Sequence, residues 1–184
     1  MNAVMEDRSY ILFDTALGRC GLAWGPAGIV AVSFPEADDA ETCARLLRRA
    51  PGARECAAAP AAVARLVGDI QALFEGAARD LAYADLDMTG APDFDCAVWG
   101  LTLDIKPGET ETYGALARAL GDVSLSRRVG QALGRNPFPI IVPCHRVVGA
   151  GGAMTGFSAP GGIGVKERLL KIEGALAPDL FDAL

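Results

Sequence analysis

Residues 143–154, PCHRVVGAGGAM, place a cysteine directly beside the only histidine of the chain. A cysteine thiolate is a strong nucleophile once its pKa is lowered or a base removes its proton. His145 is the one imidazole that could act on Cys144 as that base. Cysteine is also often a small buried apolar residue, so the pair could equally be part of the core. The residue types alone leave both interpretations open.

Three prolines, at positions 137, 139 and 143, bear on the conformation around the cysteine. Proline fixes φ and has no backbone N–H, so we predict a stiff extended segment that sets the direction of Cys144. Adjacent side chains of an extended chain point in opposite directions. A contact between Cys144 and His145 therefore requires a turn or a bridging water.

The other four cysteines are widely spaced and form no CxxC pair (Cys20, Cys43, Cys56 and Cys96). With one histidine, a zinc site would need most of them to converge, so we predict reduced thiols, no metal and no cofactor. The N-terminal ten residues lack the features of a signal peptide, and the longest apolar stretch is too short to cross a bilayer. We expect a cytoplasmic protein that does not contact a membrane.

The charge of the chain is unevenly distributed. The net charge is −6, yet residues 113–171 contain eight basic and two acidic side chains. A basic segment in an acidic protein is typical of a nucleic-acid-binding face. On charge alone, a solvated basic helix face explains the same pattern.

The first half of the sequence predicts a small sheet with helices. Short apolar segments alternate with the turn sequences TALGR and GPAG, and two alanine-rich stretches follow. Residues 81–88 alternate apolar and polar side chains, which predicts a half-buried strand. TGAPD, residues 89–93, is the best candidate for a boundary between domains 1–90 and 91–184. The predicted elements are strands Ser9–Asp14, Cys20–Trp24 and Ile29–Phe34 and helices Asp38–Arg49 and Pro60–Phe74.

The second half is predicted to be mostly helical, which makes the fold class α+β. Apolar residues at helical spacing predict a helix over Asp93–Ile105, and a second helix that starts at Thr112 as its cap. Ser124 is the predicted cap of a third helix that ends at Gly134. Two short helices joined by about four residues that include glycine suggest a helix-turn-helix.

The third predicted helix has an unusual outward face. At 100° per residue its apolar side chains form one stripe, and Arg127, Gly130, Gln131 and Gly134 lie opposite. Each glycine costs a helix about 1 kcal/mol, so a close approach by another molecule or element is expected. A nucleic-acid backbone and a neighbouring helix are the two candidates.

The segment NPFPIIVPCHRVVGAGGAMTGFSAPGG closely resembles the active-site segment of the O6-alkylguanine-DNA alkyltransferases, whose hallmark is PCHRV. The resemblance extends through GETETYGALARALG, SRRVGQALGRN and KERLLKIEG, and it covers residues 94–174. It implies a DNA repair protein with a small ribonuclease-H-like N-terminal lobe and a helix-turn-helix in the C-terminal domain. The N-terminal lobe offers no motif of its own.

The resemblance assigns roles around the cysteine. Cys144 is expected to accept the alkyl group, and His145 to deprotonate it through a water. Glu173 would orient His145. Asn136 would brace the helix-turn-helix against the active-site loop, and Tyr113 would bond the flipped guanine and displace its phosphate.

The same resemblance assigns the contacts with DNA. Arg127 would be the arginine that fills the place of the flipped base, with Gly130, Gln131, Arg128 and Arg135 as further DNA contacts. The helix is expected to enter the minor groove of double-stranded DNA as part of a monomer. The residues expected to contact the base are Tyr113, Val147, Ser158 and Pro139.

The function implied is a single transfer. The thiolate would displace guanine from the alkyl carbon of O6-alkylguanine, or thymine from O4-alkylthymine, and leave a stable thioether. Two alternatives stay open on the sequence. One is a lesion-binding protein of the same fold without catalysis, although its known members replace the cysteine. The other is a thiol hydrolase that uses Cys144, His145 and Glu173, which would leave Arg127 without a role.

Overall fold

The apolar segments near the N-terminus form an antiparallel sheet. In the computed structural model, which describes residues 7–177, strands β1 (Ser9–Thr15), β2 (Gly18–Gly25) and β3 (Gly28–Ser33) pair through tight turns. A two-residue strand β4 (Arg54–Glu55) adds to β1 in parallel, giving the order β3-β2-β1-β4. The three predicted strands are confirmed with small shifts at their ends.

Helices cover the two faces of this sheet. Helix α1 (Asp39–Arg49) packs through Leu46 against Ala23 and Ala31, and the side chain of Asp38 caps it by accepting from the Glu41 N–H at 2.8 Å. Helix α2 (Ala61–Phe74) contributes apolar side chains to the larger core on the other face. Both predicted helices are confirmed.

The predicted strand over residues 81–88 is wrong. The segment forms turns, and its only strand-like pairing is a single bridge between Leu86 and Ile29. The Ile29 N–H donates to the Asp85 carbonyl and the Asp87 N–H donates to the Ile29 carbonyl, each at 2.8 Å. The chain crosses the sheet edge so closely that a Cβ at Gly28 would lie 2.4 Å from the Asp85 oxygen. Alternating polarity here marks a loop half-buried against an edge, not an added strand.

The C-terminal half is mostly helical, as predicted, and the fold class is α+β. Helix α3 (Asp93–Leu103) is followed by the short strand β5 (Glu111–Thr112) and helix α4 (Tyr113–Ala119). Thr112 caps α4 by accepting from the Ala115 N–H at 3.0 Å, which confirms that prediction. Helix α5 (Ser126–Gly134), strand β6 (Val147–Val148) and helix α6 (Gly162–Ile172) complete the half.

The connection between α4 and α5 differs in one detail from the prediction. Asp122, not Ser124, is the capping residue, since its carboxylate accepts from both the N–H and the hydroxyl of Ser124. A 3-10 turn over Val123–Leu125 then leads into α5, which ends at Gly134 as expected. The two helices contact one another, and the DNA-binding role of this helix pair stays a prediction.

The predicted extended segment before the cysteine is also wrong. Residues 137–143 form a coil of turns, and Cys144–Arg146 form a 3-10 turn. The coil forms because Phe138 and Ile141 turn into the core, and because the Phe138 carbonyl accepts from the Val142 N–H at 2.8 Å. Ile140 adopts a left-handed φ of 79° within it. The prolines thus stiffen a compact loop.

One continuous core joins the sheet to this loop. Trp99 of α3 packs edge-on against Phe138, with ring centroids 5.9 Å apart, and its indole N–H donates to the Ala132 carbonyl of α5 at 3.0 Å. The sheet-side residues of that core, including those of α2, belong to the same cluster. The domain boundary at residue 90 and the ribonuclease-H-like character of the N-terminal lobe stay predictions. None of the helices in residues 7–177 has the length and apolarity required to cross a bilayer.

Candidate active site and DNA-binding face

The 3-10 turn at residues 144–146 places Cys144 at the wall of an open cavity. The cavity has a volume of about 500 Å³ and is lined by α4, α5 and the loop 155–158 as well as by the cysteine. Cys144 is 9% exposed, so the thiol is largely buried but reaches this space. The turn bends the chain at Cys144 and His145, so the extended geometry that would point their side chains apart is absent.

His145 is fully buried and bonded to Glu173, as the resemblance implied. The ring Nε2 lies 2.9 Å from the Glu173 Oε1. Burial by itself would raise the pKa of Glu173, but hydrogen bonds from His145 and Arg146 lower it to about 2. An ionised carboxylate only accepts, so Nε2 carries the proton and Nδ1 has a free lone pair. Nδ1 has no hydrogen-bond partner among the described residues.

Arg146 is a functional residue that the sequence analysis missed. Its guanidinium donates to both carboxylate oxygens of Glu173, at 2.8 and 3.0 Å, and to the Ile105 carbonyl at 2.6 Å. Glu173 therefore orients His145 and neutralises a buried arginine at once. The only sequence signal was its position next to the histidine, because arginine is usually exposed.

Lys166 is the second residue that the sequence analysis missed. It is fully buried on α6, and its ammonium donates to the carbonyls of Val147 and Thr155. Burial lowers the pKa of Lys166, while the charge of Cys144 raises it. Lys166 and Arg146 were both counted in the predicted basic face, and the structure removes them from any surface.

The environment of the thiol contains opposing effects. Burial raises the pKa of Cys144, while a hydrogen bond from Asn136 and the charge of Lys166 lower it. Burial lowers the pKa of His145, and its bond to Glu173 counteracts this effect. The net result is a raised pKa for Cys144 and a lowered pKa for His145, so the resting state is a neutral thiol and a neutral imidazole, whose Nδ1 lone pair can accept a proton.

Asn136 and Tyr113 lie close to the cysteine segment, and the roles that the resemblance gives them stay predictions. The Asn136 side chain accepts from the Phe138 N–H at 2.8 Å and donates to the Val142 carbonyl at 3.0 Å, which ties the end of α5 to the loop before Cys144. Tyr113 lines the cavity at the start of α4. Burial raises the pKa of the Tyr113 hydroxyl, and a hydrogen bond with Thr155 lowers it.

The expected base contacts lie at different places around Cys144. Ser158 lines the same cavity as Cys144 and Tyr113. Pro139 lines a second, much smaller cavity, which Cys144 and Ser158 also line. Val147 is completely buried, and its carbonyl already accepts from Lys166. A carbonyl has two lone pairs and can accept a second hydrogen bond, and the contact of Val147 with a base stays a prediction.

The outward face of α5 is open, as its periodicity predicted. Arg127, Gln131 and Gly134 are exposed, and Val129 is buried on the opposite side. A Cβ at Gly134 would meet nothing within 4 Å, and one at Gly130 would meet the Tyr113 ring at an ordinary 3.6 Å. Neither glycine is therefore required by packing against a neighbouring helix.

The three arginines of this region differ in their surroundings. Arg128 stacks on the Phe94 ring at 3.9 Å from its centroid. Arg135 forms a bidentate ion pair with the buried Asp95, at 2.7 and 2.8 Å. Arg127 makes no hydrogen bond or ion pair with any residue from 7 to 177. The DNA contacts expected of all three stay predictions, and Arg127 is the one whose charge is unengaged.

Comparison with known proteins settles the family. The model of the 6-O-methylguanine DNA methyltransferase DNA-binding domain matches residues 93–175. The methylated-DNA–protein-cysteine methyltransferase of Mycobacterium tuberculosis H37Rv is 43% identical over 126 residues, 67% of this chain and 74% of that relative. The chain belongs to the methylated-DNA–protein-cysteine methyltransferase family. The relative from Methanosarcina acetivorans is 49% identical over 83 residues, 45% of this chain and 52% of its own length.

Solved structures of this methyltransferase family extend the similarity to the whole fold. Mycobacterium tuberculosis OGT in complex with DNA aligns with a TM-score of 0.73 and 32% identity, over 93% of this chain and 96% of that one. The O6-methylguanine-DNA methyltransferase of Pyrococcus kodakaraensis aligns with a TM-score of 0.67 and 27% identity, over 91% and 99% of the two chains. The resemblance inferred from PCHRV and its flanks is confirmed.

The buried carboxylate of this methyltransferase-family chain gives a test of stability. We expect Glu173→Gln to lower the free energy of unfolding at pH 7 by about 3–5 kcal/mol, because Arg146 would stay buried without its anion. The Glu173 pKa lies near 2, below the ordinary 4.5, so its stabilisation is complete above pH 4.5 and disappears as pH falls toward 2. The difference between wild type and variant should shrink over that range.

Denaturant unfolding at pH 7 and pH 3 measures this difference, with Glu167→Gln on α6 as the control. Equal stability of Glu173→Gln and wild type at pH 7 would contradict the proposed neutralisation of Arg146.

Proposed function

We propose that this chain repairs duplex DNA by transferring the alkyl group of O6-alkylguanine, and of O4-alkylthymine, irreversibly to Cys144. The observation that carries the proposal is the position of the thiol. Cys144 faces a cavity of about 500 Å³ whose wall includes Gly130 and Gly134 of α5. The open face of that helix and the Cys144 thiol thus meet at one opening.

The proposed chemistry is an in-line displacement. The Cys144 proton passes through a water to the Nδ1 of His145, and the thiolate attacks the alkyl carbon. A carbon–sulfur bond forms as the carbon–O6 bond breaks, and the electron pair moves into the guanine ring. Tyr113 donates a hydrogen bond to a ring nitrogen as negative charge develops there. Guanine then takes up a proton and leaves as its amide tautomer.

Base flipping supplies access to the alkyl carbon. Inside a duplex that carbon is out of reach, and extrusion of the nucleotide costs a few kcal/mol. Arg127 would fill the vacated place in the stack. The support for this role is its exposure on α5 and the absence of any partner for it in residues 7–177. Arg128 and Gln131 would contact the backbone on either side.

The proposed docking mode is the minor groove of double-stranded DNA, with one protein molecule at each lesion. A helix that enters this narrow groove needs small side chains on its outward face. Gly130 and Gly134 meet this need, and no contact within residues 7–177 requires either to be glycine. Arg135 would be a further DNA contact. Because its guanidinium is paired with the Asp95 carboxylate, a bond to a DNA phosphate would either add to that ion pair or replace it.

Each molecule is proposed to act once and without a cofactor. The product is a thioether, and neither His145 nor Glu173 can hydrolyse a carbon–sulfur bond of that kind. A thiol hydrolase would use the same residues but would form an acyl intermediate and turn over. A lesion-binding protein without catalysis would leave the alkyl group on the DNA. The mass of the protein after reaction separates single transfer from both alternatives, and turnover through an acyl intermediate separates the hydrolase from the lesion-binding protein.

We expect the protein to gain about 14 Da, one methyl group, on incubation with a duplex that contains O6-methylguanine. Intact-mass spectrometry measures the gain, and peptide mapping should place it on Cys144. Cys144→Ala should remain unmodified yet still bind the duplex, and Cys96→Ala is the control that keeps full transfer. More than one transfer per molecule, or a methyl group on another cysteine, would exclude single transfer to Cys144.

The neighbouring arginines of α5 provide a test of base flipping. We expect Arg127→Ala to slow transfer from a lesion in duplex at least about tenfold, with little effect on free O6-benzylguanine, which needs no flipping. Arg128→Ala should mainly weaken duplex binding in a salt-dependent manner. Transfer rates on both substrates, with binding titrations at two salt concentrations, make the comparison. An equal loss on both substrates in Arg127→Ala would show that Arg127 supports the cavity instead.

A further inference from the structure

Two arginines of the N-terminal lobe reach into the C-terminal half. Arg45 and Arg49 lie one turn apart on α1. The Arg45 guanidinium donates to the Ser158 carbonyl at 2.8 Å, and the Arg49 guanidinium donates to the Arg135 carbonyl at 2.8 Å. The first acceptor belongs to the loop that lines the cavity, and the second follows directly after α5. One helix of the other lobe is therefore bonded to both parts of the candidate site.

Arg45 is fixed from its own lobe as well. Its second terminal nitrogen donates to the Glu36 carboxylate at 2.8 Å, and both side chains are half-buried, at 32% and 20% exposure. Beside this pair, Phe34 packs edge-on against Phe157, with centroids 5.8 Å apart. The loop residues 157 and 158 thus contact Phe34 and Arg45, and Glu36 holds Arg45 from its other side.

The packing behind the loop is tight. A cavity of only about 20 Å³ lies among Arg45, Arg49, Cys144 and Ser158. This space accommodates about one water, so little empty volume lies between α1 and the back of the loop. A bond to the Ser158 carbonyl also sets the plane of the peptide group that follows it, because peptide groups are planar.

We propose that Arg45 is a positioning residue for alkyl transfer, which holds the Ser158 side of the cavity at a fixed distance from the Cys144 thiol. Arg49, one turn away, acts instead on the end of α5 through the Arg135 carbonyl. The inference rests on the proposed function, because it assigns Arg45 to guanine placement and Arg49 to duplex binding. The chemical reason for arginine at position 45 is its fork, which bonds a carboxylate and a carbonyl at the same time.

Substitution of the two arginines should therefore impair different steps, alkyl transfer for Arg45 and duplex binding for Arg49. Arg45→Ala should slow transfer by roughly tenfold on both free O6-benzylguanine and an O6-methylguanine duplex, since a small misplacement of the base costs that much. Its affinity for undamaged duplex should stay within about twofold of wild type, because the contacts of α5 are untouched. Arg49→Ala should weaken duplex binding and slow transfer from duplex, and leave the rate on the free base within about twofold.

Arg48→Ala is the matched control, on the same helix and exposed. Arg45→Lys keeps the positive charge, but an ammonium lacks the fork that bonds Glu36 and Ser158 together. Its transfer rates should therefore lie between those of wild type and Arg45→Ala. Thermal unfolding of each variant shows whether a lower rate follows from loss of fold. Rates of Arg45→Ala equal to those of Arg48→Ala on both substrates would overturn the proposal.

Hydrogen exchange separates this inference from the proposed function. The backbone amides of residues 156–160 should exchange faster in Arg45→Ala than in Arg48→Ala, whether or not the wild-type protein transfers an alkyl group. Unchanged exchange in this loop would overturn the role of Arg45. A wild-type protein that shows the exchange difference but no alkylated Cys144 would overturn the proposed function and leave the loop contact standing.

Discussion

The buried carboxylate of Glu173 is the interaction on which the site depends. One oxygen accepts from the His145 Nε2 and from Arg146, and the other accepts from Arg146 alone. A charge of this kind is stable away from water only when paired and fully hydrogen-bonded. Three features of the site follow from these hydrogen bonds of Glu173. His145 keeps its proton on Nε2, Arg146 ties the carboxylate to the Ile105 carbonyl after α3, and the end of α6 is held against the cysteine turn.

Hydrogen bonds from side chains also explain how the irregular segment around the cysteine can be buried. Residues 136–148 contain little regular structure, so their backbone groups need other partners. Asn136 bonds the Phe138 N–H and the Val142 carbonyl, and Lys166 bonds the Val147 carbonyl. These side chains replace the hydrogen bonds of a helix or strand, and they fix the thiol without a regular element beneath it. The wall of the cavity beside the thiol is formed by the loop 155–158, by Tyr113 and by α5.

Sequence patterns predicted secondary structure correctly where one face of a helix or strand is buried. They failed where contacts with distant residues determine the backbone conformation. The spacing of Phe94, Val98 and Leu101 predicted α3, and Thr112 predicted the start of α4. Residues 81–88 alternate like a strand but only cross a sheet edge, and the prolines near Cys144 stiffen a coil because Phe138 turns inward. Arg146 and Lys166 could not be assigned, since no local pattern shows that a basic side chain will be buried among carbonyls. The roles of Tyr113, Asn136 and Glu173 came from the family resemblance; Tyr113 and Asn136 each line a cavity with Cys144, and Glu173 bonds His145.

The protonation state of His145 tests the central claim most directly. The chain contains one histidine, so a nitrogen NMR spectrum of the tag-free protein labelled with ¹⁵N-histidine reports this ring alone. Burial lowers the pKa of His145 and Glu173 accepts from Nε2, so the ring should be neutral at pH 7 with its proton on Nε2. That state leaves Nδ1 free to take the proton of Cys144. A ring protonated on both nitrogens at pH 7, or a neutral ring with its proton on Nδ1, would contradict the role of His145 as the base.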